Sequence, residues 1–276
     1  DSNGIDRSSV AGATIFTTTD PDSIAPKLRA AVHSEPVPSF NNDIHSCDDG
    51  PDTGVCSLFP CRPNPAASFY EVRGTYPNPI FQAGTRPYKT PADGGAIARD
   101  ADGNPSSTGT NEQMCYSAAI PKGVAMPAGG WPIVIYAHGT GGYFASLTQT
   151  DSQLAQLFAE AGYASISFDN VMHGRRQSDD GSVTLETILD AGQSFFNLAN
   201  PRASRDNILQ GSADLFHLVR LLRSDTTGLS VPGNGNLQNV KINPNKIIFL
   251  GHSQGTVIAA PFIAAETDID GIMLSG

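Results

Sequence analysis

The residues best suited to do chemistry are Gly251-His252-Ser253-Gln254-Gly255, between the apolar run "KIIFL" and the helix-forming run "TVIAAPFIAA". A sharp strand-to-helix turn holds its serine in a strained conformation, with the hydroxyl projecting above the sheet. Neighbouring backbone crowds such a turn, so Gly251 and Gly255 must lack side chains. The following helix directs N–H groups and positive dipole at any negative charge that develops there. These properties suit a nucleophile, and Ser253 is the candidate. A turn that merely contains Gly and Ser is the plainer reading, and the flanking strand and helix weigh against it.

A second group, His138-Gly139-Thr140-Gly141-Gly142, ends the run "WPIVIYAHG". A glycine-rich turn lets backbone amides approach a ligand closely. One N–H from this loop and one from the residue after the serine would form an oxyanion hole. Thr140 and Gln254 are assigned those parts, with Gly141 a close rival to Thr140. His138 and Gly139 support the loop. His252 adjoins the serine, but neighbours on a tight turn point apart, so its side chain is expected to pack or hydrogen-bond beneath the turn. The chemistry calls for no cofactor and no metal.

The elements that must position these groups alternate. Continuous apolar runs read as buried parallel strands at "WPIVIYAHG", "YASISFDN", "KIIFLG" and "DGIMLSG". Helical spacing appears in Leu154, Leu157, Phe158 and Ala161, with a stop at Gly162, and again in Ile208, Leu215, Leu218 and Leu222. "SQGTVIAAPFIAA" is a third helix, which Pro261 should kink or shorten. Alternating strands and helices imply an α/β sheet with helices on its faces. Upstream, "ASFYEVRGTY" and "NEQMCYSAAIP" read as antiparallel strands joined by a polar connection, in which "DADGN" is a surface turn. Residues 1–65 read as an irregular arm with one short helix near "PDSIAPKLRAAV", and 66–276 as the core.

The two glycine motifs, in this order, resemble the α/β-hydrolase fold superfamily. "ISFDNVMHGRR" looks like the loop after the fourth strand of those enzymes. "RDNILQGSADLFHLVRLL" before "GHSQGT" is similar to secreted bacterial serine lipases and esterases. The resemblance implies a mostly parallel hydrolase sheet over 66–276 and hydrolysis of a carboxylic ester through an acyl-enzyme on Ser253. The segment 175–205 would be a lid or pocket wall, with Phe195 and Phe196 either lining an acyl site or in the core. Lipid, short ester and polyester substrates all stay open.

One departure from that pattern stands out. The fold orders its triad as serine, then acid, then histidine. Residues 254–276 hold Glu266, Asp268 and Asp270 and no histidine, and these acids precede the last strand. Among upstream histidines, His173 is expected to be structural near the site mouth, and His217 an ordinary packing residue. The sheet is therefore expected to be incomplete at its C-terminal end. A second chain, holding the C-terminal part of the same polypeptide, is the expected partner that supplies the acid and the histidine. A serine peptidase or acyltransferase is a rival reading, as is a binding protein that keeps the fold without the triad.

Composition narrows the partners. Hydrophobic residues make up 39% and charged residues 16%, which suits a folded chain. With 17 basic residues against 27 acidic, the net charge of -10 disfavours nucleic acid and anionic lipid. No apolar run is long enough for a membrane span. Cys47, Cys56, Cys61 and Cys115 suggest up to two disulfides, in any of three pairings, and a secreted or periplasmic location. Zinc is the competing reading; the absence of a C-x-x-C pair, and His45 as the sole nearby histidine, favour disulfides.

Overall fold

The computed structural model of the protein describes residues 23–51, 54–57, 61, 63–64, 66–149 and 152–276. Residues 1–22 of the expected arm lie outside this set. In chain order the elements are α1 (Ile24–Ser34), β1 (His45–Ser46), β2 (Phe69–Pro79), β3 (Gln82–Gly84), β4 (Gly94–Ile97), β5 (Asn111–Pro121) and β6 (Trp131–Ala137). There follow α2 (Leu154–Glu160), β7 (Ala164–Phe168), α3 (Leu185–Phe195), α4 (Pro201–Ser224), β8 (Ile242–His252), α5 (Gln254–Ala265) and β9 (Gly271–Ser275).

Among the described residues, seven strands form one sheet in the order β1-β2-β5-β7-β6-β8-β9. β7, β6, β8 and β9 pair in parallel, while β1–β2, β2–β5 and β5–β7 are antiparallel. Five of the seven strands therefore point the same way. After β6 the chain goes to β7 on one side, then crosses to β8 on the other. Such a reversal opens a crevice at the carboxyl ends of the strands. Residues Ala137 and Gly251 are register partners across β6 and β8, so the loops that follow these strands emerge side by side.

Strand alternation feeds a core on each face. Ile133, Ile135 and Ala137 point into the larger cluster, with Ile166, Phe168, Ile247 and Phe249, and with Leu215, Leu218, Ile258 and Phe262 of α4 and α5. Val134 and Tyr136 point the other way, onto Ala155 and Ala159 of α2. The sequence placed Leu157 on the buried side of α2; it is exposed, because the small residues Ala155 and Ala159 let the helix lie close to the sheet.

α4 has 24 residues and is buried on nearly all sides. Its polar residues face β2 and the β3–β4 hairpin rather than water. Gln210 Oε1 accepts from the Phe81 amide at 2.7 Å, and Asp206 Oδ2 accepts from the Ile97 amide at 2.8 Å. The Asn200 amide group donates to the carbonyls of Tyr88, Thr90 and Gly94. Arg176 bridges Asp214 of α4 and Glu112 of β5, both at 2.7 Å. Burial opposes ionisation of Glu112, but Arg176 and Arg86 outweigh it and hold the carboxyl at about 2.

Two other expectations need correction. α5 continues through Pro261 to Ala265 instead of ending there; the carbonyl that loses its donor belongs to Val257, on the exposed side, where water can take its place. The polar connection between β2 and β5 also carries the β3–β4 hairpin, which the α4 side chains hold. Its "DADGN" is a turn in which Asp100 accepts from the amides of Asp102 and Asn104. The disulfides are Cys47–Cys61 and Cys56–Cys115, the second tying the arm to β5.

Candidate active site

Ser253 occupies the junction of β8 and α5, with φ 49° and ψ -114°. A non-glycine residue at positive φ costs on the order of 1–3 kcal/mol and persists where its surroundings impose it. Here the Ser253 amide donates to the Ser275 carbonyl at 2.7 Å, and its carbonyl accepts from the Thr256 amide at 2.9 Å. The flanking glycines are steric necessities. A Cβ at Gly251 would stand 2.9 Å from the Gly255 oxygen, and one at Gly255 only 2.1 Å from the Ala137 oxygen. Ser253 is exposed, and no described residue hydrogen-bonds to its Oγ. Gln254 opens α5, so its amide is among the unpartnered donors of the first turn.

The loop after β6 comes up against this turn. A Cβ at Gly139 would lie 3.1 Å from both Ser253 Cβ and His252 Cδ2. Thr140 Oγ1 donates to Gln254 Oε1 at 2.9 Å, linking the loop to the helix start. Gln254 Nε2 is buried without a partner among the described residues. The Gly141 amide donates to His173 Nε2 at 3.0 Å, whereas the Thr140 amide has no partner among the described residues.

Two buried imidazoles support this loop. His138 donates through Nδ1 to the Gly139 carbonyl at 2.7 Å and accepts at Nε2 from the Asn170 amide at 3.1 Å. His173 donates through Nδ1 to the Val171 carbonyl at 3.0 Å while Nε2 takes the Gly141 amide. The rings meet edge to face at 5.0 Å. Burial lowers His138 to about 3 and His173 to about 4, so both are neutral at pH 7, as acceptor roles require. With both nitrogens of each ring engaged, neither has a free site for the Ser253 proton.

The loop after β7 carries the remaining support. Met172 and Gly174 have φ of 61° and 52°. A Cβ at Gly174 would fall 2.2 Å from Asp169 Oδ2, so glycine is needed there. Asp169 Oδ1 accepts from the Phe144 amide at 2.8 Å, and burial pushes its carboxyl up to about 6. Asn170 Nδ2 donates to the His138 carbonyl at 2.6 Å. Asp169 and Asn170 were missed as supports of the loop; the signal was their place in "FDNVMHG", at the carboxyl end of a strand adjacent to β6.

The other histidines stand apart from this chemistry. His252 is exposed, and its Nδ1 lies 3.3 Å from Ser275 Oγ of the neighbouring β9. His217 is buried in α4 and donates to the Pro77 carbonyl at 2.9 Å. His33 lies on α1, and His45 lies beside Cys61 in the arm. α3 sits over the glycine loop that follows β6, where a Cβ at Gly192 would meet Thr140 Cγ2 at 2.8 Å. Phe195 is in the main core, and Phe196 is partly exposed.

No protein-family model matches the chain, and no curated protein matches it. Solved structures do. An acetyl xylan esterase from Paenibacillus sp. R4 superposes with a TM-score of 0.50 at 15% identity, over 94% of this chain and 60% of that one. A cold-adapted esterase from an Arctic intertidal metagenomic library gives a TM-score of 0.39 at 13% identity, over 76% of this chain and 62% of that one. The chain thus spans 60% of the length of the Paenibacillus enzyme. At such identity the likeness is one of fold alone: a mixed α/β architecture with a mostly parallel sheet.

Proposed function

We propose that this chain carries the nucleophile and oxyanion hole of a serine hydrolase acting on carboxylic esters. The observation that carries the reading is Ser253 at positive φ on the β8–α5 turn, beside the unpartnered amides of Thr140 and Gln254. The name of the superposed Paenibacillus structure, an acetyl xylan esterase, agrees with it.

In this mechanism Ser253 Oγ attacks the ester carbonyl and its proton passes to an imidazole. The carbonyl oxygen becomes an alkoxide held by the amides of Thr140 and Gln254 and by the positive end of α5. Each donor contributes roughly 3 kcal/mol to lowering the barrier. The imidazolium gives its proton to the leaving alcohol. Water then attacks the acyl-serine by the same route in reverse. The neutral His138 and His173 rings hold the loop and take no proton. α3, resting on Thr140, forms the wall of the acyl side.

The imidazole and its orienting carboxylate come from a further polypeptide segment, which pairs with β9. Support for this is the exposure of Ile272, Met273 and Leu274, at 46%, 41% and 49%, on a strand that pairs with β8 alone among the described residues. An apolar open edge is a template for another strand. The two disulfides fit a secreted or periplasmic location, and no described helix is long and apolar enough to cross a membrane.

A non-catalytic binding protein is the second reading, favoured by the lack of any imidazole bonded to Ser253 Oγ among the described residues. Hydrolysis of a chain-length series of nitrophenyl esters by the intact protein, with Ser253→Ala as control, separates the two. Turnover that is lost with Ser253→Ala supports the esterase. No turnover at any chain length supports the binding protein.

A further inference from the structure

The N-terminal arm holds a group of metal-ligating residues that the ester chemistry does not use. His45 and Cys47 are two positions apart, where β1 runs into a 3-10 turn over Cys47–Asp49, and Cys61 returns beside them. His45 Nε2 lies 3.4 Å from Cys61 Sγ, and one donor atom from each of the three residues lies within 4.8 Å of the others. The His45 ring makes no other hydrogen bond among the described residues. Both sulfurs are buried. A cavity of about 300 Å³, lined by Asp43, His45 and Asp49 among others, reaches the imidazole of the group and holds two carboxylates beside it.

In the oxidised chain the two sulfurs bond to each other and hold no metal. We infer that, once reduced, Cys47 and Cys61 form with His45 a zinc site. The donor set is two thiolates and one imidazole, which suits Zn²⁺ and not the oxygen-seeking Ca²⁺ or Mg²⁺. With Zn–S near 2.3 Å and Zn–N near 2.0 Å, tetrahedral ligands lie roughly 3.5 Å apart. The His45–Cys61 separation is already of that size, so only the sulfur pair must open.

The steps balance. A phosphine takes the oxygen of one water and is oxidised to its phosphine oxide, while Cys47 and Cys61 gain two electrons and that water's two protons. Zn²⁺ then displaces both thiol protons and takes the lone pair of Nε2. Water fills the fourth position, because both Asp43 oxygens are held by Thr75 and Asp49 Oδ2 by Asn234. The same three residues thus close the arm on itself in either redox state, by a disulfide or by a metal.

The test titrates Zn²⁺ into the full chain, reduced with a phosphine and oxidised. Per-cysteine alkylation is read by mass spectrometry with and without the metal, and circular dichroism monitors folding. The reduced chain is expected to bind one equivalent, which slows alkylation of Cys47 and Cys61 and leaves the rates at Cys56 and Cys115 unchanged. His45→Gln should weaken binding at least tenfold, and the oxidised chain should bind none. The site is overturned by a reduced chain that takes up no zinc, or by equal protection of all four cysteines. It is equally overturned by unchanged affinity in His45→Gln, or by a reduced chain that unfolds and that zinc does not restore.

Discussion

The Gly141 amide donates to Nε2 of His173 at 3.0 Å, which takes one of the two rival amides of the glycine loop out of contention. The Thr140 amide keeps no hydrogen-bond partner among the described residues. On the proposed ester chemistry His173 is a positioning residue, setting which N–H of the loop the substrate meets. Replacing it with Ala should lower kcat for a nitrophenyl ester by on the order of tenfold, with little change in KM, since one hydrogen bond to a buried group is removed. His173→Gln, which keeps an acceptor, should recover part of the loss. Equal kcat in all three proteins would show that the loop holds without the ring.

Gly255 offers a test of the steric account. A Cβ there would stand 2.1 Å from the Ala137 carbonyl oxygen, and backbone on both sides prevents an easy shift. Gly255→Ala should cost about 3 kcal/mol in urea unfolding, at the upper end of overpacking effects. Gly235, with nothing within 4 Å of its would-be Cβ, is the control, and Gly235→Ala should stay within about 0.5 kcal/mol of the parent. Similar losses at both positions would refute the crowding argument.

Acid should weaken the fold. Burial depresses His138 to about 3, and His173 and His217 to about 4, below the ordinary value of 6.5. The unfolded chain takes up these protons first, so stability present above pH 6.5 is lost as pH falls through 6.5 toward 4. The slope is roughly 1.4 kcal/mol per pH unit for each ring. Asp169, raised to about 6, and Asp214, also raised by burial, act oppositely: folding gains stability from them as pH falls from about 6 toward 4. Three rings outweigh these two carboxyls, so unfolding free energy should be lower at pH 5 than at pH 7. A flat or rising profile would mean that these rings are not buried neutral.

The nucleophile turn was legible because its constraints are local. Two glycines, an apolar strand before them and a helix after them lie within about fifteen residues. The same holds for β6 and His138, where one continuous run ends in glycine. What escaped notice depends on distant partners. Asn207, Gln210 and Asp214 look like the solvent face of α4, yet they hold the β3–β4 hairpin and Arg176, which are far away in sequence. The partner of the Gly141 amide could not be read either, because His173 reaches it from the next strand's loop. The disulfide pairing was open for a similar reason: spacing alone does not say that Cys56 meets Cys115 on β5.

The two disulfides should differ in weight. Cys56–Cys115 closes a separation of 59 residues and Cys47–Cys61 one of 14. Loop-closure entropy gives about 4 and about 3 kcal/mol respectively. The Cys56→Ser/Cys115→Ser protein should therefore melt below the Cys47→Ser/Cys61→Ser protein. The reverse order would indicate that native packing, not chain entropy, decides their contributions.

The most direct test is covalent. The intact protein is treated with a fluorophosphonate, digested and analysed by mass spectrometry. A single phosphonyl adduct on the peptide carrying Ser253, abolished in Ser253→Ala and in heat-unfolded protein, is the predicted result. An unmodified Ser253 peptide, or an adduct on another residue that survives Ser253→Ala, would contradict the assignment of this serine as the nucleophile.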